Sequence, residues 1–306
     1  MSEPRALVVA ALGGNALAPP DKPYDAADMA AAIASAADAL APIAETCDLI
    51  VTHGNGPQIG YLSENAPRTP LDVLGAESEG WLGYVIEQGL TNRLPDRTTL
   101  GILTRVVVAA DDPAFDQPTK PVGPVLSEAE ATVLQEAHGW PFIADRGGFR
   151  RVVPSPHPLE VIEAEEIGIL ARSGAIVVCV GGGGIPVVRD VRGLLHGVEA
   201  VVDKDIASAL LALQLGADAL LLLTDVPRVY ADWPNRENLL RNPSVDEVSA
   251  LFLAAGSIGP KVNAAVGFVA GGGRFAAIGL LNQAVDLLAG NVGTAFRNQD
   301  VAGSVS

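Results

Sequence analysis

One stretch, Val201 to Val226 (VVDKDIASALLALQLGADALLLLTDV), constrains the fold more than any other part of the chain. It reads as a short approach strand, a charged turn Asp203-Lys204-Asp205, a helix from Ile206 to Leu215, a Gly216 stop, and a buried strand Ala219 to Leu223 ending in Thr224-Asp225. Strand, helix and strand in this order form one α/β unit. Its polar clusters stand at the ends of apolar elements, where open α/β sheets bind their ligands. An Asp ahead of a helix often does no more than cap it. Lysine usage argues for more. Of the 20 basic residues only four are lysines, Lys22, Lys120, Lys204 and Lys261. Lys120, Lys204 and Lys261 stand beside Asp, Pro or Gly turn residues, where a compact ammonium charge suits phosphate oxygens.

With 306 residues, 49 % of them hydrophobic, the chain can bury a large core, as one α/β domain or as two lobes sharing a sheet. A formal net charge of −16 leaves no excess of Lys and Arg to neutralise a nucleic-acid backbone, so a polyanionic ligand must be held locally. Cys47 and Cys179 stand just before or within apolar runs and read as reduced core residues, which makes the cytosol the natural compartment. No signal-like opening and no run of about 18 apolar residues free of charge or Gly occurs, so neither export nor membrane insertion is expected. His53, His138, His157 and His196 show no zinc spacing.

Further strand ends carry similar chemistry. Ala6 to Leu12 is a continuous apolar run that enters Gly13-Gly14-Asn15. Such a turn lets backbone N–H groups approach an anion, or is simply tight. It lacks the third glycine of a dinucleotide fingerprint and the Gly-Lys-Ser/Thr of a P-loop. Met29, Ile33, Ala37 and Leu40 then mark a core-facing helix. Leu49 to Val51 is a second strand, ending in His53-Gly54-Asn55-Gly56-Pro57, with Pro57 suited to start a helix. His53 reads as a turn or core histidine rather than a base.

Gly75 to Asn92 reads as a long helix and Leu100 to Val108 as a strand. A loop from Asp111 to Pro124 follows, whose Pro118, Pro121 and Pro124 hold Lys120 rigidly. Ser127 to Glu130 is a capping box, and Trp140 to Ala144 with Arg150 to Val153 reads as a hairpin through Asp145 to Gly148. This helix and hairpin break the βα alternation and place a small projecting subdomain at about 117–157. Leu159 to Ala171 reads as an acidic helix with a solvated face. Ala175 to Val180 is a buried strand ending in four glycines, Gly181 to Gly184. A core gains nothing from four glycines, so they point to close backbone approach by a ligand. Arg189 to Glu199 reads as a hairpin, Ser244 to Glu247 as a capping box opening a helix to Ala255, and Pro260 as a first helical residue that sets Lys261 at a helix N-terminus. Phe275 to Gly279 is a last clear strand, followed by a helix from Gln283 to Leu288 and a terminal strand from Gly293-Thr294.

Gly13-Gly14-Asn15, Gly54 to Pro57, Gly181 to Pro186, Asp203-Lys204-Asp205 and Gly256 to Lys261, together with Thr119 to Pro124, Val152 to Pro156 and Leu223 to Val226, closely resemble the carbamate kinases of the amino-acid kinase family. The resemblance runs in order from Ala10 to Thr294. It implies an α/β fold, a three-layer α/β/α sandwich around a mainly parallel central sheet with the projecting subdomain. The whole chain, 1–306, would be one amino-acid kinase domain, serving carbamate or carbamoyl phosphate up to about residue 200 and the nucleotide from about 201 to 306. It also implies a cytoplasmic homodimer, a place in arginine metabolism, and reversible phosphoryl transfer: carbamoyl phosphate and ADP, with Mg2+, give carbamate and ATP. A covalent intermediate and a protein-held metal are not expected.

By position in the motifs, Gly13, Gly14, Asn15, Gly54, Asn55, Gly56, Gly181, Gly182 and Gly183 would hold carbamate and the transferring phosphoryl group. Lys204, Thr224, Asp225, Val226, Tyr230, Gly259 and Lys261 would lie by the nucleotide. A loose phosphoryl transition state needs in-line positioning and spread positive charge. Lys120, Lys204 and Lys261 would supply that charge, and Asp205 would orient the lysines by accepting their hydrogen bonds. The chain departs from the pattern in three places. Ala76-Glu77-Ser78-Glu79-Gly80 stands where many carbamate kinases have Ala-Met-Ser/Thr-Gln-Gly, adding two carboxylates that would weaken anion binding unless they face solvent or pair. His157 stands at an often basic position, and Pro227 replaces a common Asp. A kinase of the same fold for another small carboxylate or phosphate, and a non-catalytic sensor of carbamoyl phosphate or nucleotide, remain the alternatives.

Overall fold

The computed structural model describes residues 4–14, 25–145, 147–231, 237–244, 247–248 and 258–298. In chain order the first elements are β1 (Leu7–Leu12), α1 (Ala26–Thr46), β2 (Asp48–His53), α2 (Gly56–Asn65), α3 (Leu71–Arg93), β3 (Thr99–Gly101) and β4 (Arg105–Val108). Then come β5 (Lys120–Leu126), α4 (Glu128–His138), β6 (Phe142–Asp145), β7 (Gly148–Val153), β8 (Pro158–Val161), α5 (Ala164–Arg172) and β9 (Ile176–Cys179). The remainder is β10 (Ile185–Arg189), β11 (Leu195–Gly197), α6 (Lys204–Gln214), β12 (Ala219–Thr224), β13 (Val229–Tyr230), β14 (Leu239–Leu240), a helix Ile258–Ala270, β15 (Phe275–Leu280), a short helix Ala284–Leu288 and β16 (Thr294–Arg297).

The layering follows from the strand sequences. All six side chains of β1 are apolar and buried. Leu7, Val9 and Ala11 enter one core and Val8, Ala10 and Leu12 the other, so the strand must be covered on both faces. The first core is closed by α5, α6 and helix Ile258–Ala270, through Ile167, Leu211 and Phe268. The second is closed by α1, α3 and helix Ala284–Leu288, through Leu40, Leu82 and Leu287. Between them lies a seven-stranded sheet in the order β16-β15-β12-β1-β2-β9-β3. Only its β15–β16 pair is antiparallel. This is the three-layer α/β/α sandwich with a mainly parallel sheet. By length and composition α1 could cross a membrane, but its Met29, Ile33, Ala37 and Leu40 are seated in the second core.

Three smaller sheets accompany the sandwich, β11-β10-β4-β8, β5-β7-β6 and the two-stranded β13-β14. The second of these, with α4, occupies the segment read as projecting. Ser127 and Glu130 complete both halves of the capping box on α4, and β6 and β7 pair as the expected hairpin. The small sheet is tied to the main body by a contact of two glycines. A Cβ on Gly60 of α2 would fall 2.2 Å from Gly123 Cα of β5, so neither backbone could come so close with a side chain between them.

Several expectations about local structure are corrected. Leu100 to Val108 is two strands in different sheets, because the chain leaves β9 after Gly101 and turns through Thr104 to pair with β10 and β8. The loop through Thr119 to Pro124 is largely strand β5, since Lys120, Pro121 and Val122 pair antiparallel with Val153, Val152 and Arg151. Pro158 to Val161 is a strand paired with β4 rather than the start of a helix. Of its presumed solvated acids, Glu160 pairs with Arg189 and Glu163 with Arg105. The hairpin begins at Ile185 rather than Arg189. Residues 200–203 form no strand, and the helix begins two residues earlier than expected, at Lys204. Helix Ile258–Ala270 has Pro260 third rather than first. Ser244 and Glu247 make both bonds of their capping box, while most of the helix expected after them lies outside the described residues, as does Arg146.

Candidate active site

Parallel register gathers the strand ends at one rim of the sheet. Leu12 lies beside both Leu223 and His53, and Thr52 beside Cys179. The residues that follow, Gly13-Gly14, Gly54 to Gly56, Val180 to Gly184 and Thr224, therefore share the carboxyl edge of β1, β2, β9 and β12, the edge open α/β sheets use for ligands. Backbone bonds lock the turns together: Gly13 N–H donates to Leu223 O at 3.0 Å and Gly54 N–H to Leu12 O at 3.1 Å. A Cβ on Gly54 would lie 3.0 Å from the Gly14 nitrogen and 3.3 Å from Lys204 Cδ, so the stem of Lys204 rests against this pair of turns. Asn15 and Gly256 lie outside the described residues.

Asp203 caps α6, accepting the N–H groups of Asp205 and Ile206, and so fixes where the next two side chains start. It also accepts from Lys120 Nζ at 2.9 Å, which ties β5 to the rim. Burial works against a charge on Asp203, but the Lys120 ammonium and its hydrogen bond, with Lys204 and the Asp205 N–H, outweigh it and hold the carboxyl down at about 2. Lys204 Nζ donates to Asp205 Oδ1, and Lys261 Nζ reaches Asp205 Oδ2 at 3.1 Å from the first turn of its own helix. All three are buried, at 9 %, 3 % and 6 % exposure for Lys204, Asp205 and Lys261. Burial lowers the Lys204 pKa, Asp205 opposes the fall, and Lys261 adds to it. Two ammonium groups on one carboxylate leave excess positive charge in a low-dielectric place, where an arriving anion meets a strong field. Asp205 thus joins two of the three candidate lysines, while Lys120 belongs to Asp203 instead.

At the other end of the rim, Gly182, Gly183 and Gly184 have φ of 67°, 96° and 81°. Their side-chain space is already taken. A Cβ on Gly181 would meet His53 at 2.5 Å, on Gly182 the Asn55 amide at 2.1 Å, on Gly183 Val202 O at 2.4 Å, and on Gly184 Val106 at 2.4 Å. The expectation that internal packing gains nothing from these glycines is therefore corrected: the protein's own packing demands all four. Asn55 donates to Ser78 Oγ at 2.8 Å and leaves the N-terminus of α2 without a side-chain cap. In that first turn both amide atoms of Gln58 are buried without a partner. Sequence reading passed over Gln58, although Asn55-x-x-Gln58 spells a capping box whose bonds are not made.

The two acidic departures separate. Glu77 is exposed, whereas Glu79 is 2 % exposed and accepts from Gly181 N–H at 2.8 Å and Thr104 N–H at 3.2 Å. Burial pushes its carboxyl up to about 8, against the pull of those donors. His53 is fully buried and burial drives its imidazole down to about 4, consistent with a core histidine. His157 is exposed, and its N–H donates to Asp112. On the β12 side, Thr224 is buried beside Gly13 and donates to Asp225 at 3.1 Å. The chain continues through exposed Asp225 and half-buried Val226 to Tyr230 of β13, and Gly259 is buried two residues before Lys261. Among the described residues no group of three or more His, Cys, Asp or Glu is placed to hold a metal ion.

A carboxyl-edge rim of glycine turns beside paired lysines is an arrangement suited to phosphoryl transfer, and the chain belongs to the amino acid kinase family, whose model it matches over residues 6–279. Its similar curated relatives include carbamate kinases. That of Haemophilus influenzae is 43 % identical over 94 % of this chain and 95 % of its own, and that of Rhizobium meliloti is 48 % identical over 90 % and 88 %. The carbamate kinase of Giardia lamblia bound to AMP-PNP superposes with a TM-score of 0.85 at 36 % identity, covering 96 % of this chain and 98 % of the other.

Proposed function

We infer that the protein is a carbamate kinase, moving a phosphoryl group between carbamoyl phosphate and ADP to give carbamate and ATP. The observation that carries this is the buried Lys204–Asp205–Lys261 group opposite the Gly13, Gly54 and Gly181 turns. The transferring group gathers charge on its equatorial oxygens, and two ammonium groups held by one carboxylate are preorganised to meet it without covalent chemistry. In this proposal Lys204 and Lys261 neutralise the phosphoryl oxygens and Asp205 aims them, while Lys120 closes over the substrate from β5. Gly13, Gly14, Asn15, Gly54, Asn55, Gly56 and Gly181 to Gly183 would hold carbamate and the transferring phosphoryl group. Thr224, Asp225, Val226, Tyr230 and Gly259 line the nucleotide.

A Mg2+ ion fits as a companion of the nucleotide phosphates rather than of a protein cage, since among the described residues the rim offers lysines and backbone N–H groups and no metal-holding cluster. When bound, it would neutralise phosphate charge. The chain to about residue 200 would serve carbamate, the rest the nucleotide, and 117–157 would act as a projecting subdomain. A cytoplasmic homodimer working in arginine metabolism completes the proposal. Its dimer face is assigned to α3 beside edge strand β3, where Val73, Tyr84 and Leu103 are exposed and Tyr61 packs edge-on against Trp81. Size-exclusion chromatography with light scattering tests the dimer. A donor panel of carbamoyl phosphate, acetyl phosphate and other acyl phosphates with Mg-ADP tests the substrate. Carbamoyl phosphate should support by far the highest kcat/KM, and a preference for another donor would replace carbamate by that acid.

A further inference from the structure

We propose that Glu79 is the positioning residue of the tetraglycine turn and that its protonation gates affinity for the anionic substrate held there; this rests on the carbamate-kinase assignment of the turn. Glu79 reaches across from α3 and takes the Gly181 N–H on Oε1 and the Thr104 N–H on Oε2. Thr104 Oγ1 accepts the preceding amide, Val180 N–H, at 3.0 Å and donates to Ile102 O at 3.0 Å. Both amides that open the turn are thus fixed by Glu79 and by the residue whose N–H it holds. Val180 is the one described non-glycine residue with positive φ, at 52°, a strained conformation that persists only where its surroundings impose it. The clamp is two-sided, since the space beyond Gly181 Cα is filled by His53 at 2.5 Å and by Glu79 Cγ at 2.7 Å.

Among the described residues, the groups facing Glu79 leave its charge without a counter-ion. From β2 stands His53, driven to neutrality by burial and by Lys204. From β9 stands Cys179, its thiol pushed well up by burial and by Glu79 itself. Glu163, ahead of α5, raises Glu79 further although Arg105 pairs with it. Burial, with a smaller push from Glu163, carries the carboxyl to about 8 against the pull of the Gly181 and Thr104 donors. Below that pH the turn rests on a neutral acid. Above it Glu79 releases a proton to solvent, and a carboxylate behind the Gly181 amide opposes any anion in front of it.

Initial rates from about pH 6.5 to 9.5 test this, comparing the parent with Glu79→Gln, which keeps an acceptor for Gly181 N–H but cannot ionise. In the parent, KM for carbamoyl phosphate should rise about tenfold per pH unit above roughly pH 8, with kcat and KM for ADP changing far less. Glu79→Gln should hold the low-pH KM throughout. A Gln variant that keeps the alkaline rise overturns the proposal, as does one that folds normally and has lost activity at every pH. Sulfate binding by calorimetry gives a second readout, because the charge of sulfate is constant over this range. Its affinity should fall above roughly pH 8 in the parent alone, and an equal fall in both proteins overturns the gate. If the parent binds sulfate in this way but turns over no carbamoyl phosphate, the carbamate-kinase assignment fails and the gate stands. In the infrared difference between parent and variant, a carboxylic acid band should give way to carboxylate near the same pH. Ionised Glu79 throughout would contradict the proposal.

Discussion

The α6 end and the tetraglycine end of the rim bury similar groups and treat them in opposite ways. Lys204, Asp205 and Lys261 are nearly sealed from solvent and are bonded to one another. Glu79 and His53 are sealed as deeply, yet neither has an ionic partner among the described residues, and burial shifts both toward the neutral form. A charge survives burial where an opposite charge stands within hydrogen-bond distance, and elsewhere the proton equilibrium moves instead. One end is thereby a fixed cationic site, and the other a frame of neutral dipoles that holds backbone in place. Phosphoryl transfer uses both kinds of surface, the first for charge and the second for alignment.

The largest effect should come from breaking the charged end at its centre. Asp205→Asn takes away the carboxylate that joins two buried ammonium groups and should cost about 3–5 kcal/mol of stability, read by urea unfolding, together with activity. A variant as stable as the parent would mean that the lysines are hydrated and the contrast is false. Next, Lys261→Ala should lower kcat by roughly 10²–10³-fold while leaving the thermal midpoint near that of the parent, because it removes one of two like charges sharing Asp205. Loss of stability in place of rate would make Lys261 structural. Gly60→Ala sharpens the comparison from outside. It forces β5 off α2 at a cost of about 1–3 kcal/mol and should raise KM for carbamoyl phosphate by drawing Lys120 away from Asp203, which kinetics alongside thermal melts would register.

The smallest effect belongs to the neutral end and is read from stability against pH. The folded pKa of Glu79, about 8, lies above its ordinary 4.5, so its contribution is full below pH 4.5 and is lost as pH rises through 8. His53 runs the other way, its contribution full above 6.5 and lost as pH falls through about 4. Of these two groups only Glu79 has a slope between pH 6.5 and 8, a loss of about 1.5 kcal/mol, and Glu79→Gln should remove that part of the slope in chemical denaturation. An unchanged slope would assign it to other groups.

What the sequence disclosed and what it hid divide along physical lines. The apolar runs of β1, β9 and β12, the helical spacing in α1 and α3, and the Ser127–Glu130 cap are local patterns, and they were legible. The split of Leu100 to Val108 between two sheets was not, since both halves have the same apolar character and only the partners differ. In the candidate site, the lysines stood out by scarcity, and the approach of Lys261 to Asp205 depends on a long-range fold that scarcity alone cannot specify. Glu79 looked like a liability because burial and backbone donors, which turn a carboxylate into a neutral strut, have no signature in a single sequence. The four glycines were read as room for a ligand, and their Cβ positions proved to be occupied by His53, Asn55, Val202 and Val106.

The most direct test of the cationic end is ATP formation from carbamoyl phosphate and Mg-ADP by the purified protein, run beside Lys204→Ala. The parent should turn over, and the variant, folded and of similar thermal midpoint, should lose roughly 10²–10³-fold in kcat. Equal turnover by both proteins would contradict the account, because the buried ammonium group against Asp205 would then have no part in the transfer.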